Sequence, residues 1–504
     1  MPKLIGFDND KYIELQSKHI RERVEKFGDK LYLELGGKLF DDFHAARVLP
    51  GFKPDSKMQM LKSLSDKIEI VVAISAVDIV NNKMRGDYNI TYDTDTVRLI
   101  EKFKEEGFYV GSVVITKYTG QQAADTFKRK LENMGIKVYV VRFIEGYPSN
   151  LDFIASDEGF GKNDYIETTR PIVVLTASGP GSGKMTACMS QLYNDNKRGI
   201  KAGYAKFETF PVWNLPINHH VNLAYEAATV DLQDVNMIDP FHFRAYQEIS
   251  VNYNRDVDSF PVLNSLFEKI LGESPYKSPT DMGVNMVGHC IIDDEVVCNA
   301  AKNEIIRRYY HTLKDNLDGK ADKNIVYKME LIMKEAEVKI SDRFVVKKAL
   351  EKKEKVGAEC CAIEMFGGDI VDGRDTEILS AASTAVLNAL KYVAQIDDNH
   401  HLISPEVLIP LQLFKKNSLN SNIRLNLDET LIALSICAAQ DETAQLALDC
   451  IEELKDTEMH STIILPPAEA AIIKRLGINL TVEPIYKKIY NKRVVRFLNN
   501  SFLF

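Results

Sequence analysis

The run from Ile172 to Thr186 joins an apolar, β-branched stretch to three alternating glycines and a lysine. It reads as a buried strand, a tight turn and the start of a helix. Gly179, Gly181 and Gly183 allow the backbone positive φ and bring its N–H groups close to an anion. A helix beginning near Lys184 would add the positive end of its dipole, and the lysine a mobile charge. Gly179, Gly181, Ser182, Gly183, Lys184 and Thr186 are therefore the candidate residues for holding a phosphate or nucleotide. The stretch departs from GxxxxGK[ST] twice: Ser178 replaces the first glycine, and Met185 replaces the hydroxyl residue that would hold Mg²⁺. Three readings stay open: a packing turn, an anion site without the usual metal arrangement, and a Mg-nucleotide loop.

Further residues could handle a reacting group. Tyr204, Lys206 and Glu208 alternate on the strand after the loop helix, so they share a face. A lysine and a carboxylate buried on a sheet are costly unless paired or used, which makes Lys206 and Glu208 candidate catalytic residues or a structural ion pair. Glu226, in the polar stretch 213–242, and Asp281, in a second polar loop, complete the catalytic candidates. Gly-containing basic segments at 34–38 and 83–87 are candidate phosphate contacts or surface turns, as is the loop 156–164. No His/Asp/Cys spacing is diagnostic of a metal, so no metal site is expected.

The elements that must position these residues alternate between strand-like and amphipathic runs from residue 68 to 207, the pattern of a parallel sheet covered on both faces. Strands are predicted at 68–74, 109–116, 138–143, 172–177 and 202–207, and helices at 95–106, 121–134 and 184–198. The expected class is α/β, a doubly wound, mainly parallel sheet with a helical subdomain and a smaller C-terminal α+β subdomain. Expected boundaries are 1–290, 291–356 and 357–504. Residues 1–67 are predicted to add a helix and a loop, and 211–290 long loops with short helices. Helices in 293–355 should break near 318–322 and 340–342. The last third predicts an extended segment at 359–365, a helix at 376–394, a strand at 431–438, a helix at 442–454, a strand at 461–465 and a helix at 468–476.

At 504 residues the chain exceeds what one core supports. A formal charge of −9 with scattered basic residues gives no nucleic-acid footprint. Seven cysteines without a CxxC pair suit a reducing compartment. Neither a signal sequence nor a membrane-spanning stretch is evident, so the expectation is a cytoplasmic protein with no membrane partner, and a homo-oligomer on frequency alone.

At Gly179 to Lys184, and through 205–211, 224–229 and 278–286, the sequence resembles a bacterial protein family described only as a domain of unknown function. The resemblance covers nearly the whole chain and implies an α/β protein with a helical and a smaller α+β subdomain. The label of ATP-dependent peptidase carried by some relatives finds neither HExxH nor GxSxG here. The functional expectation is a protein that binds a phosphorylated small molecule or nucleotide, and a non-redox transferase or hydrolase of a phosphorylated metabolite. The alternative is a binding or scaffold protein without turnover.

Overall fold

The computed structural model describes residues 4–28, 30–37, 39–40, 42–85 and 90–486. Lys38, Gly86 and Asp87, from the basic segments above, lie outside the described residues. The chain divides into two compact units, 4–302 and 303 onward, the division falling within the helix Asp294–Leu317.

The first unit is α/β, built on a seven-stranded, wholly parallel sheet. Its order is Gly283–Val284, Ala202–Phe207, Lys30–Leu35, Ile172–Ala177, Ile68–Ser75, Tyr109–Tyr118 and Lys137–Arg142. Alternation along the strands sends Tyr32, Val71, Ala73, Val114, Val173, Leu175 and Tyr204 to one face, where they pack with Cys188, Leu192, Phe260, Leu263 and Phe267. The intervening Leu31, Leu33, Ile70, Val72, Val113, Ile115 and Val174 are equally buried. They are covered by helices that touch the strands without entering that cluster, Tyr92–Glu105 and Gln122–Asn133 among them. Burial on both faces explains why the strands read as continuous apolar runs.

The strand Lys30–Leu35 overturns the expectation of a helix and a loop before residue 68. It lies inside the sheet, bonded to Ile172–Ala177 on one side and Ala202–Phe207 on the other. Its polar alternates disguise it, and each is satisfied within the fold. Lys30 Nζ lies 3.3 Å from Asp195, Tyr32 donates to Asp195 at 2.7 Å, and Glu34 accepts from the Tyr204 hydroxyl at 2.8 Å. Asp195 has no exposure and also accepts from Tyr165 at 2.7 Å. It therefore ties the helix Lys184–Lys197 to the inner strand. Residues 211–290 also hold more helix than expected, including Asn254–Leu271, whose interior Pro261 reads as a break in sequence.

The predicted helical stretch is confirmed: Asp294–Leu317, which crosses the division, and Lys323–Glu335 and Phe344–Val356, in the second unit, are interrupted where expected. A four-stranded sheet follows in the order Ile370–Arg374, Cys360–Glu364, Glu458–Ser461 and Asn479–Val482. The strand expected at 431–438 is instead the helix Leu427–Ala438, opened by a reciprocal cap between Asn426 and Glu429. A short apolar run fits either period, and the cap decides it. The strand expected at 461–465 begins earlier, because Glu458–Ser461 pairs with Cys361–Glu364. The helix Pro405–Asn417 was not anticipated, its two prolines reading as loop. Glu458 lies between the guanidinium groups of Arg343, at 2.5 Å, and Arg307, at 2.9 Å. Burial works against its charge, yet the two arginines hold its carboxyl below the usual range.

Leu175 is wholly buried in the centre of the large sheet. Leu175→Ala is expected to cost about 2–5 kcal/mol, read as a lowered midpoint in denaturant unfolding of the full chain.

Candidate functional site

Because every strand of the large sheet runs the same way, all the strand carboxyl ends open on one edge, where ligands bind in doubly wound folds. The loop 178–183 leaves the Ile172–Ala177 strand at that edge and enters the helix Lys184–Lys197. Its flanking strands, Lys30–Leu35 and Ile68–Ser75, end beside it.

Positive φ occurs at Gly181 (74°) and Gly183 (79°), the latter serving as the left-handed cap of the helix. A Cβ on Gly183 would lie 2.7 Å from Thr116 Oγ1, and one on Gly179 would collide with the Tyr92 hydroxyl, whereas one on Gly181 would meet nothing within 4 Å. Thr116, on the strand Tyr109–Tyr118 one place beyond Ile68–Ser75, fixes the loop by donating to the Ser182 carbonyl at 2.5 Å. Lys117 donates to the Gly181 carbonyl at 2.8 Å. The backbone N–H groups of Gly179, Gly181, Ser182, Gly183 and Lys184 have no acceptor among the described residues. Lys184 reaches back over the loop, its Nζ 3.5 Å from Ser182 Oγ. Met185 and Thr186 occupy the first helical turn, half-buried.

Cations surround this turn. Lys83 Nζ stands 5.1 Å from the centre of the Tyr92 ring that abuts Gly179. At the end of the Lys30–Leu35 strand, the buried Lys57 pairs with Asp42 at 2.7 Å, and its Nζ would lie 3.5 Å from a Cβ on Gly37. Burial raises the Asp42 carboxyl, but Lys57 and the Ala45 amide outweigh it and hold the group below its ordinary range.

Lys206 and Glu208 do come together, at 2.5 Å, and Asp256 joins Lys206 at 2.7 Å from the start of the helix Asn254–Leu271. Burial opposes the Lys206 charge, yet Asp256 and Glu208 raise its ammonium above the ordinary lysine range. Burial raises the Glu208 carboxyl, aided by Asp256 and opposed by Lys206. A carboxyl shifted upward can carry a proton in acid–base chemistry. Glu34 aligns with Lys206 in the sheet register, and Glu34 and Lys184 both act electrostatically on the buried Cys188 thiol. The helix that the loop enters and the Lys206 cluster thus lie on one side of the sheet.

Glu226 and Asp281 are placed differently. Glu226 accepts from the Asn236 amide at 3.0 Å. Asp281 accepts from the Tyr246 hydroxyl at 2.9 Å and the Lys277 amide at 2.8 Å, tying together the polar segments 240–246 and 277–282. Sequence reasoning missed Tyr92, Thr116 and Lys117, although the polar Thr-Lys pair closing an apolar strand was a usable signal. Asp256 was likewise not among the candidate catalytic residues.

Residues 5–337 match the family described as "Domain of unknown function DUF1846, N-terminal", and residues 341–490 match its C-terminal counterpart. The chain belongs to this family. It is 51% identical over 493 residues to a UPF0371 protein of Streptococcus pyogenes serotype M5, covering 97% of this chain and all of that one. A UPF0371 protein of Corynebacterium aurimucosum is 51% identical over 498 residues, covering 98% of this chain and all of the relative. One from Streptococcus thermophilus is 52% identical over 490 residues, covering 97% and 99%. No helix among the described residues is long and apolar enough to cross a membrane.

Two outcomes test the electrostatics. Lys206→Met strands two buried carboxylates and is expected to cost about 3–5 kcal/mol in chemical unfolding. The depressed Asp42 contributes stability that is complete above about pH 4 and is lost as pH falls through its lower folded value. Asp42→Asn should therefore flatten the decline of stability below about pH 4, measured as unfolding midpoint against pH.

Proposed function

We propose that the carboxyl edge of the large sheet binds the phosphoryl group of a small molecule or nucleotide on Gly179, Gly181, Ser182, Gly183 and Lys184. The observation that carries this reading is the set of loop amides with no acceptor among the described residues, on the turn that Lys184 reaches back over. Buried or inward-facing N–H groups without partners are expensive, and a bound anion satisfies several at once. Thr116 and Lys117 engage the loop's carbonyls, which leaves its amides for a ligand.

The chemistry that fits is transfer or hydrolysis without an oxidation step. Lys206 would neutralise developing charge, and Glu208, its carboxyl raised by burial, would move a proton. Asp256 holds Lys206 in place. Met185 offers no hydroxyl at the position where a phosphate-binding loop usually holds Mg²⁺, which favours anion recognition by amides and ammonium groups. A binding protein without turnover is the second reading, favoured by the direct ion pair that engages Lys206 and Glu208 with one another.

Titration calorimetry of the full chain with inorganic phosphate, ADP, ATP and sugar phosphates tests the proposal. At least one of these is expected to bind, and Lys184→Ala to weaken it by at least about tenfold, the scale of one lost charge-assisted hydrogen bond. No binding by any of them, or equal binding by the variant, overturns the reading. Turnover of the bound compound by the wild type but not by Glu208→Gln separates an enzyme from a binding protein.

A further inference from the structure

We propose that His219, Asp294 and Cys298 form a binding site for a zinc-class divalent metal ion. The three residues come from two elements of the first unit. Asp294 and Cys298 sit one turn apart on the helix that begins at Asp294, and His219 caps the helix His220–Ala228. One ligand atom from each lies within 4.8 Å of the other two.

The separations carry the argument. His219 Nε2 is 3.0 Å from Asp294 Oδ1 and 3.5 Å from Cys298 Sγ, and Cys298 Sγ is 3.8 Å from Asp294 Oδ2. An ion about 2.0–2.3 Å from tetrahedrally placed nitrogen, oxygen and sulfur ligands separates them by about 3.3–3.6 Å. His219 Nε2 and Cys298 Sγ already stand at such a separation, and the Asp294 carboxylate, which faces the imidazole with Oδ1 and the thiol with Oδ2, completes a tetrahedral face by a side-chain rotation. Spacing of i and i+4 on one helix, with a third ligand from a second element, holds such a face rigidly.

The ligand types select the ion. A thiolate with an imidazole suits Zn²⁺ or Co²⁺ and disfavours Mg²⁺ and Ca²⁺, which take oxygen ligands. The His219 side chain is 10% exposed and that of Asp294 68%, so the buried imidazole anchors an ion whose fourth position faces water.

Proton balance follows from the contacts. His219 Nδ1 accepts from the Val221 amide at 3.2 Å, so before an ion binds the neutral ring carries its proton on Nε2, toward Asp294. Coordination through Nε2 moves that proton to Nδ1 and opens the cap bond. Sulfur binds an ion as thiolate, so the Cys298 proton leaves to solvent as the ion binds. One proton is released per ion.

The experiment is titration of the chelator-stripped full chain with Co²⁺, followed by displacement with Zn²⁺. The wild type is expected to bind a single equivalent with a thiolate-to-cobalt charge-transfer band and the visible absorption of tetrahedral Co²⁺, both abolished by Zn²⁺. Cys298→Ser should lose the charge-transfer band. Asp294→Asn, at an exposed position, should weaken binding by at least about tenfold while circular dichroism stays unchanged. His219→Gln should weaken it as much, and its dichroism without metal shows whether loss of the cap has disturbed the helix. A wild type without the band, or a Cys298→Ser protein that keeps it, overturns the proposal. Neither result depends on whether phosphate binds at the Gly-rich loop.

Discussion

The first unit depends on one buried carboxylate. Asp195 gathers Lys30, Tyr32 and Tyr165 where no water reaches it, and so fastens the helix Lys184–Lys197 against an inner strand of the sheet. A buried charge of this kind persists only when fully compensated, and its compensation here comes from another element. The opposite end of the same helix receives the glycine-rich loop. The position of that loop at the strand ends is thereby set by an interaction near the helix's far end, and Thr116 completes the fixing from two strands away.

Two kinds of polar group are sorted by this arrangement. Those within the sheet are paired: Glu34 with Tyr204, and Lys206 with Asp256 and Glu208. Those at the turn, the amides of Gly179 through Lys184 other than the proline, have no acceptor among the described residues. Cost inside and capacity at the edge are consequences of the same parallel topology, which brings every strand end to one side.

Much of this could be read from sequence, and the failures have physical causes. The strand at 172–177 was legible to the residue because both faces are buried and its composition is nearly pure apolar; that at 202–207 was legible from its place after the loop helix despite Lys206. The inner strand Lys30–Leu35 was not, since its charged alternates find partners more than a hundred residues away that no local pattern reveals. The helix Leu427–Ala438 was mistaken for a strand because an apolar run carries no period of its own, while its cap lay just outside the run. In the site, the glycine spacing and the Lys206–Glu208 pair were visible. Asp256, Thr116 and Tyr92 come beside these residues only through the long-range order of the fold.

Gly181 combines a left-handed backbone with open space, no atom lying within 4 Å of where a side chain would begin. Replacement of Gly181 would therefore be opposed by its left-handed φ alone, whereas at Gly183 the Thr116 side chain would obstruct a substituent as well. Conformation limits the sequence at one glycine of the turn, and both conformation and crowding at the other.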